Sequence, residues 1–139
     1  TWGYRSTRSL VVGTPLTLSM QLLLGGGRPT NGDSSRWVPF SDNNGVSGHA
    51  FMGAVPFLVA ADMVENRWMK TTLIVGSTLC AWSRVNDDKH YLSQSVLGWS
   101  IAWTAVKGVG ITDALHGERH ALDIVLFEGG PGLVYSYTF

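Results

Sequence analysis

Two histidines and two arginines are the side chains of this sequence best suited to catalysis, and they lie in three short clusters. The clusters are Gly27-Arg28-Pro29, then Val46-Ser47-Gly48-His49, then Ser83-Arg84 followed by His90. Arginine offers a planar fork of donors that fits phosphate oxygens, and a helix beginning at Ser47 offers free backbone N–H groups and a positive dipole end. His49 and His90 can supply a proton donor and a nucleophile. Together the clusters predict a phosphate cradle with two imidazoles.

Each cluster has a plainer interpretation when it is taken alone. An Arg-Pro pair is usually a surface arginine, a Ser-Gly-His sequence is usually a helix cap, and a histidine that opens a helix is usually structural. Gly48 adds one chemical detail, because an anion can closely approach a backbone that carries no side chain. The order and spacing of the clusters therefore carry the prediction that Arg28, Arg84, Ser47 and Gly48 bind phosphate.

The elements that must position these clusters are helices. Four stretches lack Asp, Glu, Lys and Arg: Ser9–Gly27, Asn43–Ala61, Thr71–Ser83 and His90–Val106. A lone membrane-spanning helix needs about 20 mostly apolar residues, and only the first and the fourth stretch approach that length. We therefore expect an all-α bundle at or in a membrane rather than a set of independent spans.

Local signals set the boundaries of the helices. We expect a first helix over about Tyr4–Leu24, with Pro15 as a kink and three glycines as its end. Ser47 is a good N-cap for a second helix that runs to about Glu65. The third helix is expected over Arg67–Arg84, a connector over Val85–Lys89 and the fourth helix over His90–Val109, with Thr112–Ala121 as a short helix or a loop.

The tail of the chain has a different pattern. Ile124–Phe127 and Leu133–Phe139 are rich in strand formers and flank a glycine- and proline-containing turn, which predicts a C-terminal β-hairpin. Residues 1–121 then form the helical core, and residues 122–139 form a hairpin or tail rather than a separate domain. The terminal aromatic also fits the last strand of an outer-membrane barrel, but a barrel needs at least about eight strands and the rest of the chain is helical.

The composition excludes several classes of function. The chain has 139 residues with ten basic and ten acidic side chains, so we expect one domain and no nucleic-acid partner. Its charged fraction of 14% is low, since ordinary soluble domains carry roughly 25%. The single Cys80 excludes an intramolecular disulfide and a cysteine-based zinc site. The chain opens at Thr1 without a signal sequence, which indicates a processed or truncated start and leaves room for further elements before it.

The three clusters resemble the signature of the type 2 phosphatidic acid phosphatase family, which shares its fold with bacterial acid phosphatases and vanadium haloperoxidases. The family pattern is Lys-x6-Arg-Pro, then Pro-Ser-Gly-His, then Ser-Arg-x5-His-x3-Asp. This chain has Gln21-x6-Arg28-Pro29, then Val46-Ser47-Gly48-His49, then Ser83-Arg84-x5-His90-x3-Gln94. The resemblance spans about Leu16–Val106 and implies the helical bundle of that family.

Three positions depart from the family pattern. Gln21 replaces the lysine and removes a positive contact, and Val46 replaces a proline and costs only rigidity. Gln94 replaces the aspartate that holds the nucleophilic imidazole in its working tautomer. It lies on the same helix face as His90, so it can accept the ring N–H, but it carries no charge. The same exchange costs about 10⁴-fold in a serine-protease triad. The carboxylates that could substitute are Asp87, Asp88 and Asp113.

The resemblance implies a phosphatase that needs no metal and no cofactor. His90 would attack phosphorus and form a phosphohistidine, His49 would protonate the leaving alkoxide and then help to activate water, and Gln94 would orient His90. The remaining cluster residues would stabilise the equatorial oxygens, namely Arg28, Arg84, Ser47 and the backbone of Gly48. His116 and His120 are spaced like a metal pair but lie outside the clusters, and we expect them to be surface residues.

The uncharged stretches predict a site near a membrane interface, where a lipid can present its phosphate while its tail stays in hydrocarbon. The leading hypothesis is a membrane phosphatase for phosphatidate, a polyprenyl pyrophosphate or a lipid A phosphate. By analogy with the family, it would lie in a bacterial-type inner membrane with its site facing the periplasm or the outside. The alternatives are a soluble acid phosphatase for small phosphomonoesters, a vanadate-dependent haloperoxidase, and a non-catalytic relative, which Gln21 and Gln94 motivate.

Overall fold

A computed structural model confirms the all-α bundle expected from the sequence. The structure describes the backbone of residues 1–116, 120–127 and 130–137 and the side chains of residues 1–115. Its helices are α1 (Trp2–Leu24), α2 (Gly48–Met63), α3 (Arg67–Ser77), α4 (Leu79–Asn86) and α5 (Leu92–His116), with a 3₁₀ turn at Pro29–Asn31. Two strands, β1 (His120–Phe127) and β2 (Gly130–Tyr137), follow α5.

Helix α2 forms the centre of the bundle and packs against each of the other four helices. It is apolar on most sides, as is typical of a largely buried helix, although Met52 and Phe57 remain exposed. Its buried side chains meet those of α5, with α1 closing the third side. The core consists chiefly of Phe51, Val55, Leu58 and Val59 from α2 with Ile101, Ala102 and Val106 from α5.

The start of α2 is fixed by its cap and by α5. The hydroxyl of Ser47 accepts a hydrogen bond from the backbone N–H of Ala50 at 3.3 Å, so Ser47 is the N-cap that the sequence predicts. The backbone N–H of Ser47 in turn donates to the carbonyl of Gln94 on α5 at 3.0 Å. A Cβ atom at Gly98 would lie 2.3 Å from the carbonyl oxygen of Ser47, so a glycine is required for this close approach.

The third helix expected over Arg67–Arg84 is broken, and that prediction is wrong. It divides at Thr78 into α3 and α4. The hydroxyl of Ser77 donates to the carbonyl of Ile74 at 2.6 Å, and that of Thr78 donates to the carbonyl of Val75 at 2.7 Å. Hydroxyl side chains that bond to the preceding turn compete with the helical ladder, and here they accompany the end of α3.

The last helix is longer than the sequence predicts. Helix α5 continues past Val109 to His116 and passes through Gly108 and Gly110, two weak helix formers. A Cβ atom at Gly110 would lie 2.6 Å from the guanidinium of Arg5, so packing against α1 favours a glycine in the extended helix. Tertiary contacts therefore outweigh local propensity in this segment.

Ion pairs join three helices at the end of the bundle where α1 begins. The carboxylate of Asp62 binds the guanidinium of Arg5 at 2.9 Å and also binds the ammonium of Lys107. The carboxylate of Asp113 binds Arg5 at 3.2 Å and also binds Arg8. These pairs hold the N-terminal end of α1 against the C-terminal ends of α2 and α5.

At the other end, the chain turns back over the end of α1. Gly25 has φ 62° and Gly26 has φ 127°, conformations that favour glycine. A Cβ atom at Gly25 would lie 1.9 Å from the carbonyl oxygen of Val38, so the loop closes directly onto this turn. The backbone N–H of Phe40 donates to the carbonyl of Leu22 at 3.0 Å and fastens the loop to α1.

The two strands pair antiparallel, with His120 opposite Tyr137 and Phe127 opposite Gly130. Residues 117–119, 128–129 and 138–139 lie outside the described residues, and so do the side chains from residue 116 onward. The central turn residues of the expected hairpin and the side chains of His116 and His120 belong to that part of the chain.

The described surface carries many large apolar side chains. Among the described residues, one segment, Trp2–Asn31, is long and apolar enough to cross a membrane by length and composition, and only 22% of its most apolar window is buried. The exposed apolar side chains of α1 include Val11, Val12, Leu16 and Leu23. Helix α2 is apolar but shorter than a typical span.

Candidate active site

The three sequence clusters meet at one end of the bundle, opposite the ion pairs. Arg28 follows the end of α1, Ser47 caps the start of α2, and His90 precedes α5. Two hydrogen bonds of Gln94 join these segments: its backbone carbonyl accepts from Ser47, and its side chain reaches the carbonyl of Gly27 at 3.0 Å. The structure thus brings together residues that are separated by more than 60 positions in the sequence.

The hydrogen bonds of Gln94 determine which way its amide group points. The backbone N–H of Tyr91 can only donate, and it lies 3.1 Å from Oε1 of Gln94. The carbonyl of Gly27 can only accept, and it lies 3.0 Å from Nε2. The amide oxygen therefore faces His90, and the amide nitrogen faces the loop after α1.

This orientation fixes the tautomer of His90. Its Nδ1 atom lies 3.0 Å from Oε1 of Gln94, which is an acceptor, so Nδ1 carries the proton and donates. In the neutral ring, Nε2 then has a free lone pair. Both side chains are well shielded, with 6% exposure for His90 and 0% for Gln94.

The surroundings of His90 favour its neutral form. Burial lowers the pKa of His90 below its ordinary value of 6.5, because it penalises the charged ring. The hydrogen bond to Gln94 acts in the opposite direction, and positive charge at Arg28, His49 and Arg84 lowers the pKa further.

Arg28 is held by an asparagine that sequence reasoning did not include in the site. The Nε atom of Arg28 donates to Oδ1 of Asn44 at 2.7 Å, and the amide of Asn44 donates to Asp42 at 2.7 Å. The backbone N–H of Arg28 donates to the carboxylate of Asp33 at 3.1 Å. Asn44 lies in a sequence that predicts only a turn, so its contact with Arg28 had no local signal.

Arg84 closes the other side of the site. Its guanidinium donates to Asp87 at 3.0 Å, and its backbone carbonyl accepts from the N–H of His90 at 3.1 Å. Asp87 therefore neutralises an arginine of the site instead of orienting the imidazole. Asp113 lies in the ion pairs at the far end, and the carbonyl of Asp88 accepts from Thr30 at 2.9 Å. The position beside the His90 ring belongs to Gln94 rather than to a carboxylate.

His49 lies in the first turn of α2, next to Gly48, and its residue is exposed. Its backbone carbonyl accepts a hydrogen bond from the thiol of Cys80 on α4 at 3.1 Å. This contact fastens the start of α2 to the helix that carries Arg84.

A family model described as the PAP2 superfamily matches residues 13–111 of the 139. The chain belongs to the PAP2 superfamily. The match covers all three clusters and confirms the resemblance seen in the sequence. Members of this superfamily generally hydrolyse phosphate esters, so membership supports phosphatase-type activity. Neither the curated proteins nor the solved structures include a match to the chain.

Gln21 occupies the position of the lysine in the PAP2 pattern, and the structure places it beside the start of α2. Its side-chain amide donates to the carbonyl of Val46 at 3.0 Å. Its nitrogen lies 3.4 Å from where a Cβ atom of Gly48 would be. The residue therefore supports the start of α2, but it adds no positive charge to this PAP2 site.

Two loops of the PAP2 core are joined by contacts that the sequence did not reveal. The hydroxyl of Tyr91 donates to the carbonyl of Asp33, and Thr30 donates through its backbone N–H and its hydroxyl to the carbonyl of Asp88. These bonds hold the segment after Arg28 against the segment that carries His90. Because the partners are about 58 residues apart, no spacing pattern indicates them.

Within the described residues, no group of three or more His, Cys, Asp and Glu side chains could hold a metal ion. This end of the bundle brings together the oriented imidazole of His90, the segments that carry two arginines, and the start of α2. It can offer a nucleophile to an anionic centre and donors to that centre's oxygens.

Proposed function

We propose that this PAP2 member is a membrane-associated phosphatase that hydrolyses a lipid phosphate monoester or pyrophosphate through a phosphohistidine. The observation that carries the proposal is the hydrogen bond from Nδ1 of His90 to Gln94, which leaves Nε2 unprotonated. A lowered pKa keeps that nitrogen available at neutral pH. Nearby positive charge suits an anionic substrate, because phosphoryl transfer is catalysed mainly by positioning and electrostatic stabilisation.

In the proposed first step, Nε2 of His90 attacks phosphorus, a P–N bond forms and the P–O bond to the leaving group breaks. Protonated His49 gives its proton to the leaving alkoxide. In the second step, neutral His49 takes a proton from water, whose oxygen attacks phosphorus and breaks the P–N bond. Phosphate leaves and His90 returns to its neutral state.

The cradle supplies the electrostatic part of the proposal. Arg28, Arg84, Ser47 and the backbone at Gly48 would donate to the equatorial phosphoryl oxygens. Arg84 binds Asp87, whose side chain is nearly half exposed, so a dianionic phosphate would compete for the guanidinium of Arg84. Asn44 would keep Arg28 in place through its 2.7 Å hydrogen bond.

The exposed apolar surface supports a membrane setting for the site. Helix α1 has the length and composition of a span, and much of its apolar surface faces outward. The candidate site lies at one end of this helix, where a bilayer interface would be if α1 crosses the membrane. A lipid phosphate could then enter from the bilayer, and the site would face the periplasm or the outside, as family analogy indicates.

The deciding experiment measures phosphate release from phosphatidate in detergent micelles. We expect His90→Ala to abolish release, because no other described group can replace the oriented nucleophile. Asn86→Ala, an exposed change on α4, serves as the matched control and should keep full activity. Mass spectrometry should find acid-labile phosphate on His90 in the native chain. Retained turnover in a well-folded His90→Ala preparation would overturn the assignment.

A non-catalytic PAP2 member is the second candidate, and the neutral side chains of Gln21 and Gln94 favour it. Such a protein would bind lipid phosphates without turnover. It would release no phosphate from any substrate, whereas a soluble acid phosphatase would act on small phosphomonoesters without detergent. Gln94→Asp separates the membrane phosphatase from the non-catalytic member. A non-catalytic native chain would show activity only after that change, whereas a phosphatase would be active before it.

A further inference from the structure

The two arginines of the candidate site are held by partners of different charge. Nε of Arg28 donates to the neutral amide of Asn44 at 2.7 Å, and within the described part of the chain its guanidinium makes no ion pair. The guanidinium of Arg84 donates to the carboxylate of Asp87 at 3.0 Å. Arg28 therefore keeps its full positive charge for a ligand, whereas a carboxylate already binds Arg84.

The pair between Arg84 and Asp87 is of a kind that an anion can break. Among the described side chains, the carboxylate of Asp87 has no partner other than Arg84. The side chain of Asp87 is 45% exposed and that of Arg84 is 27% exposed, so water reaches both groups. Ion pairs with this exposure contribute little free energy, so a phosphate with two charges can replace the carboxylate.

The end of helix α4 is an unfavourable place for the carboxylate of Asp87. Asp87 directly follows the last residue of α4, where the helix dipole presents partial negative charge. A cation in the last turn, such as Arg84, is favourable there, and an anion is not. The helix therefore gives no reason for an acidic side chain at this position, whereas the contact with Arg84 does.

The backbone around Asp87 keeps its carboxylate beside Arg84. The N–H of Asp87 donates to the carbonyl of Ser83 at 2.9 Å. The N–H groups of Lys89 and His90 donate to the carbonyl of Arg84 at 3.0 and 3.1 Å. A carboxylate that is displaced from the guanidinium thus stays on the same turn, and a tethered group competes as if it were present at a high effective concentration.

We propose that Asp87 is an internal competitor of phosphate for Arg84 and that it weakens the binding of the product. The proposal rests on the phosphatase function above and adds a positioning residue to it. A bound phosphoryl group takes the guanidinium of Arg84 from Asp87, while Arg28 binds the anion throughout. After turnover the carboxylate returns to Arg84, and inorganic phosphate leaves because it has no organic part that adds to its binding.

The first test measures the binding of inorganic phosphate and of tungstate to the full chain in detergent by calorimetry. Asp87→Asn should tighten the binding of both anions by about threefold to fivefold, because no exposed ion pair has to be broken. The ionic strength is kept constant, since salt screens such pairs.

Asp88→Asn is the matched control for this test. It removes the same charge from the neighbouring exposed residue, whose φ of 53° suits asparagine. Its effect on either affinity should stay below about 1.5-fold, because a charge in solvent is screened. Equal tightening by the two variants, or no tightening by Asp87→Asn, would overturn the proposal.

The second test asks whether Asp87 acts through Arg84. In an Arg84→Gln background the carboxylate has no guanidinium to bind, so Asp87→Asn should no longer change the affinity for phosphate. Asp87→Glu in the native background keeps a carboxylate beside Arg84, and its affinity for phosphate should stay near that of the native chain. A gain from Asp87→Asn that persists undiminished without Arg84 would reject the competition.

The competition and the phosphatase function can fail separately. If hydrolysis of a water-soluble aryl phosphate depends on His90, the inhibition constant of inorganic phosphate should fall in Asp87→Asn by the same factor as the dissociation constant. An unchanged inhibition constant would keep the phosphatase and reject the role of Asp87. If nothing is hydrolysed, calorimetry decides: tighter anion binding by Asp87→Asn supports the competition in a non-catalytic protein, and unchanged or absent binding rejects it.

Discussion

Gln94 satisfies three polar groups at once, which decides what its exchange for aspartate does. It accepts from His90 and from Tyr91 and donates to the carbonyl of Gly27. A carboxylate could serve the first two groups but not the third. The neutral side chain therefore lacks the negative charge that an aspartate would place beside His90, but it makes a hydrogen bond that joins α5 to the loop after α1.

We predict that Gln94→Asp raises kcat and lowers stability. A charge next to the His90 ring would stabilise the cationic ring of the phosphohistidine. The carbonyl of Gly27 would lose its partner, at a cost of about 1–3 kcal/mol for a buried acceptor. Phosphate release and thermal unfolding in the same detergent measure both effects. A lower kcat in a folded Gln94→Asp chain would show that the geometry matters more than the charge.

The lowered pKa of His90 leads to a second prediction for a single residue, which concerns its titration and the pH dependence of stability. Because burial and neighbouring positive charge lower it, His90 should titrate below 6.5 in NMR spectra of histidine-labelled protein, with His90→Ala giving the assignment. The unfolded chain binds the proton at about 6.5. Stability should therefore fall as the pH drops from there through the lower pKa of the folded state. A titration at or above 6.5 would contradict this.

At the scale of helices, the contact between α5 and the start of α2 fixes the segments that carry His90 and His49 relative to each other. We predict that Gly98→Ala costs about 1–3 kcal/mol of stability, because the new methyl group meets the carbonyl of Ser47. It should also lower kcat, since the bond from Ser47 to Gln94 must stretch. Gly108→Ala on the same helix meets nothing within 4 Å and should be neutral or stabilising by up to about 1 kcal/mol. Equal behaviour of the two variants in thermal unfolding would contradict this.

The helices were predictable where the signals were local. The glycines after Leu24 and the cap at Ser47 marked the ends of α1 and the start of α2. The break at Thr78 depends on hydroxyls that bond the backbone, and the length of α5 depends on its packing against α1. The spacing of apolar residues along the sequence predicts neither the break at Thr78 nor the extra length of α5.

The site was predictable as a set of residues but not as a geometry. Cluster spacing indicated which residues converge, and the fold brings them to one end of the bundle. The partners of Gln94 and Arg28 come from loops, and the clearest case is the carbonyl of Gly27, 67 residues away from Gln94. Contacts with a backbone carbonyl leave no trace in the residue types, so only the fold reveals them.

For the molecule as a whole, the exposed apolar surface of α1 faces either the hydrocarbon of a bilayer or water. Val12 is 59% exposed near the middle of the helix. The ion pairs of Asp62 and Asp113 lie at one end of the bundle, and the candidate site lies at the other. If α1 crosses a bilayer, this side chain faces hydrocarbon; in a soluble phosphatase it would face water. The two settings make opposite predictions for a charge at this position.

We predict that Val12→Arg impairs membrane insertion, because an arginine at the centre of a span costs about 2.5–3.5 kcal/mol on insertion scales. Gly3→Arg, in open space beside the ion pairs at the helix end, is the control and should insert normally. Extraction of membranes with alkaline carbonate measures the inserted fraction of each. A soluble protein would behave differently, because Val12→Arg would remove exposed apolar surface and increase solubility without detergent. That outcome would transfer the phosphatase chemistry to small soluble phosphomonoesters.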